Sequence, residues 1–353
     1  MTSEISRKYE VVVVGGGAAG LSAAVTLSRA LRSTLVIDAG EPRNAPAAGV
    51  HGFLSRDGVS PGELLVQGRK EVRRYGGTVT SGEVVGARPS AYGFDVVLAD
   101  GRTVAARRLL IATGLTDELP EVEGLRDRWG RDVLHCPYCH GWEVRHRAIG
   151  VLASGPMAVH QALLFRQWSA NITLFLNDAV EPSDEEWEQL SARSISVVMG
   201  SVLSLEVTND AVSGVALSSG KVLPVEAVVV GPRFEARSAL LESLGVETVE
   251  HPRGIGKHVE TSAQGATSVA GVWAAGNVSD LTAQVMASAA AGVAAGAAIN
   301  ADLISEDTRR AVSAAGSPFT AEIEARVSEK ILGSRRHGLD AASMGRMESR
   351  EAG

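Results

Sequence analysis

The sequence predicts an α/β protein built from two three-layer nucleotide-binding domains, the second inserted in the first. Three observations predict it. Residues 11–38 read as strand, glycine turn, helix, strand and acid in a single unit, the order a Rossmann-like nucleotide fold requires. A weaker copy of that unit starts near Ala148, and three further apolar strands close on glycines at Gly114, Gly231 and Gly276.

Length and composition agree with two domains. The chain has 353 residues, two or three times the usual ~100–150-residue domain, and 45% hydrophobic residues to fill the cores. Its 34 Lys+Arg against 41 Asp+Glu leave a net charge of −7, and aromatics are only 4%. That excludes the basic, ring-studded face of a nucleic-acid binder. Two cysteines cannot build a disulfide framework or complete a four-ligand zinc site alone. The first ten residues lead into a strand without the apolar core of a signal peptide, so a cytoplasmic location is expected. Residues 285–299, mostly Ala and Gly between Gln284 and Asn300, are too short and too weakly apolar to cross a bilayer. They are expected to form a helix packed closely against a sheet.

In chain order, residues 11–14 form a buried strand that ends in Gly15-Gly16-Gly17-Ala18-Ala19-Gly20, followed by a helix over 21–31 and a strand over 33–37 ending at Asp38. Gly15 permits the tight turn. Gly17 lets backbone N–H groups approach a pyrophosphate at the helix N-terminus, and Gly20 lets helix and strand pack closely. Asp38, eighteen residues after Gly20, is placed to take the ribose hydroxyls of an adenosine. Residues 109–114 are a strand that closes on Thr113 and Gly114, followed by a turn-rich stretch over 117–124.

The second unit reads as strand 149–152, helix 156–168 and strand 171–176. Laid on the first, its glycine positions fall on Ala153, Gly155 and Ala158, and its acid falls on Leu176. Pro156 removes one N–H from the phosphate turn, and Leu176 cannot bind a ribose hydroxyl. No Arg follows closely to hold a 2′-phosphate, although Asn177 and Asp178 are close. The favoured reading is a folded domain that no longer binds a nicotinamide well. Strand 227–230 closes this unit, and Gly271-Val272-Trp273-Ala274-Ala275-Gly276-Asn277 begins the return to the first. The boundaries are a first domain over 1–117, an insert over 118–240, the first domain resumed over 241–303, and a helical extension over 304–353. From residue 303 onward there are 8 acidic and 8 basic residues, so the extension has no net charge to recruit an ionic partner.

An N-terminal GxGxxG, an interrupting second nucleotide fold, a CxxC at its head and the C-terminal Gly-Val-Trp-Ala-Ala-Gly strand together resemble the low-molecular-weight thioredoxin reductases, over about residues 9–303. The resemblance implies FAD in the first domain, held at its pyrophosphate and ribose by Gly15, Gly17, Ala18, Ala19, Gly20 and Asp38. It further implies flavin contacts from Val84, Thr113, Gly114, Gly276, Asn277, Gln284 and Val285, and a homodimer. Asn44 and His51, in the loop after the acid, are added as candidates to line the flavin. Asn277 stands where the family carries Asp; it keeps the hydrogen-bonding shape without the charge.

The implied redox pair is Cys136-Pro137-Tyr138-Cys139, flanked by His135 and His140. Read alone, His-Cys-x-x-Cys-His is also a set of zinc-competent side chains. Ligands bunched so tightly rarely close a tetrahedron, and the chain has no other cysteine, so no metal is expected. His140 replaces the Asp usual in the family, and the stretch from His135 to Glu143 is similar to a branch of dithiol oxidases that close the disulfides of gliotoxin, holomycin and related products. That branch implies retention of FAD, loss of the nicotinamide site, a small-molecule dithiol as substrate, and O2 as acceptor giving H2O2. It makes Cys136 the outer sulfur, Cys139 the sulfur against the flavin, and His140, with His135 as second candidate, the acid and base. Two readings stay open beside it. One is a reductase carrying electrons from NAD(P)H to a thioredoxin-like protein; the other is a flavoprotein whose CxxC serves as a redox sensor without catalysis.

Overall fold

The structure is a computed structural model that describes residues 6–316 and 320–332. The chain divides into two compact units between Asn300 and Ala301.

The first unit opens with β1 (Lys8–Val14), α1 (Ala18–Arg29) and β2 (Thr34–Asp38). Val11, Val12 and Val13 are fully buried, as an unbroken apolar run demands when both faces of a parallel sheet are covered. Helix α1 stops before the expected Leu31, because Leu31 takes a left-handed φ of 61°. Next come α2 (Pro61–Arg74), β3 (Thr78–Ser81), β4 (Val84–Ser90), β5 (Gly93–Leu98) and β6 (Thr103–Ile111). The strands form one sheet in the order β3-β2-β1-β6-β5-β4.

From β6 the chain enters β7 (Leu115–Glu118), then β8 (Val133–Leu134), α3 (Pro137–His140), β9 (Ile149–Leu152), α4 (Ala158–Phe165), β10 (Ile172–Phe175), α5 (Asp184–Ala192) and β11 (Ser196–Val198). A small antiparallel sheet of β12 (Val202–Thr208), β13 (Ala211–Leu217) and β14 (Val222–Leu223) precedes β15 (Ala227–Val230). The parallel order β11-β10-β9-β15-β8 makes this segment a second nucleotide-type sheet. Its helix α4 begins two residues after Pro156, short of the expected start.

The chain leaves the insert through β16 (Arg233–Ala236), α6 (Ala239–Ser243), β17 (Thr248–Glu250), β18 (Gly256–Val259) and β19 (Val272–Ala274). Strand β16 pairs antiparallel with β7, Phe234 opposite Asp117. The stretch expected as turns from 117 therefore starts as a strand: entry to and exit from the insert run side by side and satisfy each other's backbone groups. Strand β19 lies parallel to the last residues of β6. Leu240, Leu241, Val246, Val259 and Val278 share one buried core with Val12, Ile37, Leu109 and Ile111, so the chain after the insert returns to the first sheet.

Helix α7 runs from Val285 to Ala315, 31 residues, well past the expected 285–299. Nothing breaks it before Gly316, which takes a φ of 76°. By length and composition it is long and apolar enough to cross a membrane, and 33% of its most apolar window is buried. Its glycine side faces α1: a Cβ on Gly292 would lie 2.0 Å from the Ala19 carbonyl oxygen, and one on Gly296 3.0 Å from that of Ala23. In the second unit, α8 (Ala321–Leu332) carries Ile323, Val327 and Ile331 at four-residue spacing. The motif Ser334-Arg335-Arg336-His337 lies outside the described residues.

Candidate active site

A cleft of about 1320 Å³ runs from the glycine-rich turn to the CxxC segment. Of the residues expected to bind cofactor, Gly15, Gly17, Ala18, Ala19, Asp38, Asn44, His51, Val84, Thr113, Gly114, Gly276, Asn277, Gln284 and Val285 line it, together with Cys136, Cys139, His135 and His140. Gly20 does not. A Cβ there would lie 2.0 Å from the Gly15 carbonyl oxygen, so Gly20 shapes the turn by the close packing expected of it.

At one end, β1 delivers the chain into a turn where Gly15 takes a φ of 103° and a Cβ would meet Ala112 O at 2.3 Å. Gly17 ends the turn with nothing within 4 Å of a would-be Cβ, and α1 starts there without a side-chain cap. The free amides of that first turn are the usual cradle for a phosphate. Asp38 closes the adjacent edge. Its Oδ1 accepts from Gly16 N at 3.1 Å and Gly40 N at 3.3 Å, and Arg69 Nη1 stands 3.4 Å from Oδ2.

At the other end, Cys136 and Cys139 are joined as a disulfide with Cα atoms 5.3 Å apart. Cys136 precedes the single turn of α3, its carbonyl accepting from Cys139 N at 3.3 Å and His140 N at 3.1 Å. Pro137 fits the first helical position because no N–H is needed there. Gln284 Nε2 reaches within 3.9 Å of Cys136 Sγ, which ties the start of α7 to the redox pair.

Both ring nitrogens of His140 are buried without a hydrogen-bond partner. Burial pushes its pKa below the ordinary histidine value; the Glu143 carboxylate opposes that and His51 adds to it. His135 packs edge-on against Phe234, ring centroids 5.2 Å apart. Burial, helped by the Arg43 guanidinium, pushes its pKa down to about 4. Both rings are thus neutral near pH 7, but His135 engages the Val230 backbone whereas neither ring nitrogen of His140 has a partner.

Two polar residues are placed otherwise than spacing suggested. Asn277 Nδ2 donates to Asp280 O at 3.0 Å and Ala283 O at 2.9 Å. A carboxylate cannot donate, so the amide braces the turn into α7 rather than only preserving the shape of an Asp. In the insert, Asn177 donates to Ala153 O at 3.3 Å and accepts from Val202 N at 2.8 Å, while Asp178 accepts from the Ser201 hydroxyl. Sequence reasoning passed over Glu143 and Asp57, which pair with the two sides of His51. Nothing in the spacing marks Glu143, whose contact with His51 joins positions 92 residues apart. Among the described residues no group of three or more His, Cys, Asp or Glu is arranged to hold a metal ion.

The open amides at Gly17, the carboxylate at Asp38 and the length of the cleft fit a dinucleotide that carries a pyrophosphate and a ribose. Comparison with known proteins agrees. Among curated relatives, "Thioredoxin reductase sirT" of Leptosphaeria maculans is 32% identical over 316 residues, spanning 85% of this chain and 95% of the relative. Among solved structures, HlmI is 44% identical with a TM-score of 0.83, covering 89% of this chain and 98% of its own. An oxidoreductase from Agrobacterium tumefaciens is 37% identical with a TM-score of 0.79, covering 84% and 99%. These relations bear out the resemblance to thioredoxin reductases and make the protein a flavin-binding oxidoreductase. The pattern of the pyridine nucleotide-disulphide oxidoreductases matches residues 9–296, and the chain belongs to that family.

Proposed function

We propose that the protein is an FAD-dependent dithiol oxidase that closes a disulfide in a small-molecule dithiol, with O2 as acceptor and H2O2 as second product. The observation that carries this reading is the state of Asn177 and Asp178. Both side chains are committed to bracing β10 against the 200s segment. Leu176 stands at the acid position of the insert and the two polar side chains after it are engaged in the fold, whereas the cleft beside the glycine-rich turn gathers the cysteine pair and His140. The electron source is then the dithiol itself.

FAD would be held by Gly15, Gly17, Ala18 and Ala19 at its phosphates and Asp38 at its ribose, with Val84 toward the adenine and Gly276, Gln284 and Val285 toward the flavin end. When bound, it supplies a two-electron acceptor between the cysteine pair and O2. A substrate thiolate attacks Cys136, and the Cys136–Cys139 bond breaks with its electron pair on Cys139. The second substrate thiolate displaces Cys136 and releases the oxidised product, leaving the enzyme pair reduced. His140 takes the thiol protons, because its ring is neutral, buried and unpartnered beside the cysteines.

With dithiothreitol as the dithiol, the protein should consume O2, and Cys136→Ser and Cys139→Ser should each cut the rate by more than about 100-fold. Undiminished turnover in either variant contradicts the assignment of the pair. The name of the relative sirT favours a second reading, an NAD(P)H-dependent thioredoxin reductase. No O2 uptake with dithiols, but reduction of a thioredoxin by NADPH, selects it.

A further inference from the structure

Beside the cysteine pair lies a set of ionisable groups that the reaction above leaves idle. His51 lines the cleft from the loop between β2 and α2. Its Nε2 lies 3.6 Å from Glu143 Oε1, and its Nδ1 lies 3.3 Å from Asp57 Oδ2. Asp57 is itself fixed, its Oδ1 accepting from Gly52 N at 2.9 Å. Glu143 follows His140 by three residues, its N–H donating to the His140 carbonyl at 3.2 Å. Two segments distant in sequence thus meet at the His51–Glu143 contact, three residues on from His140.

We propose that His51 and Glu143 are positioning residues for the thiol chemistry, a contact braced by Asp57 that decides when His140 can take a proton from a thiol in the cleft. The inference rests on the reading of Cys136 and Cys139 as a thiol–disulfide site. In the step concerned, a substrate S–H bond breaks and its proton goes to a ring nitrogen of His140. The thiolate pair forms the new bond to Cys136, and the old disulfide pair stays on Cys139. The substrate sulfur is oxidised as Cys139 is reduced, and His140 becomes an imidazolium.

That cation forms in a buried place, and burial alone disfavours it. The ionisable groups that reach His140 are Glu143 on its own segment, His51 from the facing loop, His135 and the two cysteines. Glu143 stabilises the imidazolium and His51 opposes it. The two act with opposite sign, and their mutual contact limits each other's effect. Asp57 holds the His51 ring on the far side, which keeps its Nε2 turned to Glu143.

The opposite signs give the test. In the flavin-loaded protein, the ring titration of His140 is followed by NMR, assigned by loss of its signal in His140→Asn. Glu143→Gln should lower its midpoint by about half a pH unit or more, and His51→Gln should raise it by a similar amount. Loosening of the site for merely structural reasons would move both variants the same way. The acid limb of kcat/KM for dithiothreitol oxidation should shift with the same signs. Midpoints that superimpose on the native value in variants that keep their flavin overturn the proposal. If Glu143→Gln loses flavin, His51→Gln alone decides, and no upward shift overturns it. Failure of the oxidase reading shows separately, as absence of O2 uptake in the native protein with the NMR shifts intact.

Discussion

His135 shows how burial changes what a residue can do. Beside Phe234 and Arg43 it keeps its ring neutral down to about pH 4. An unfolded histidine takes up its proton near pH ~6.5. The folded pKa is the lower of the two, so the stability this residue contributes is complete above about pH 6.5 and is lost as the pH falls toward 4. The depression corresponds to about 3 kcal/mol. Denaturant unfolding at pH 7 and pH 4 should show a loss in the native chain that is smaller by that order in His135→Phe, and equal losses in the two would contradict the account. Residue identity was legible in the sequence: the histidines on either side of the CxxC stood out from their neighbours. Their separate environments were not, because Phe234 lies 99 residues after His135 and reaches it only through β16. The same holds for Asn277, whose double donation depends on carbonyls that a turn brings round to it.

The best-read elements were short apolar strands. Residues 149–152 and 227–230 were delimited to the residue, because a fully buried parallel strand must be apolar at every position and ends where that ceases. Strand β7 was missed for the same physical reason turned round. Asp117 and Glu118 look like turn residues, yet they sit at a sheet edge where Asp117 meets Arg43 in a two-pronged ion pair, Nη2 to Oδ1 2.6 Å. Helix α7 was found but cut short, since only tertiary contact shows what its glycines do. Gly292 lets α7 touch the backbone of α1 at Ala19, the residue after the first helical position at the phosphate turn. Gly292→Ala should push the two helices apart, costing about 1–3 kcal/mol, and should weaken flavin retention. Thermal unfolding and flavin absorbance after gel filtration check this, and an unchanged melting temperature with full flavin would show that the contact is not needed.

For the whole molecule, the repetition of one β-α-β unit made the architecture readable: two sheets, each with a glycine or near-glycine turn after its first strand. The meeting of the two functional sequences was not readable. The glycine turn and the CxxC are about 120 residues apart in the chain, and they meet in one cleft lined also by β7, β16, the loop carrying His51 and the start of α7. In the same way, the hydrogen bonds that Asn177 and Asp178 make within the insert appear only in the fold. The central claim is that electrons enter from a dithiol at the CxxC and leave to O2. Its most direct test is the flavin absorbance of the purified protein under anaerobic conditions, first with NADPH and then with an equal concentration of dithiothreitol. The account predicts no rapid change with NADPH, bleaching with the dithiol, and recovery of the oxidised spectrum on admission of air. Rapid bleaching by NADPH, with none by the dithiol, would contradict it.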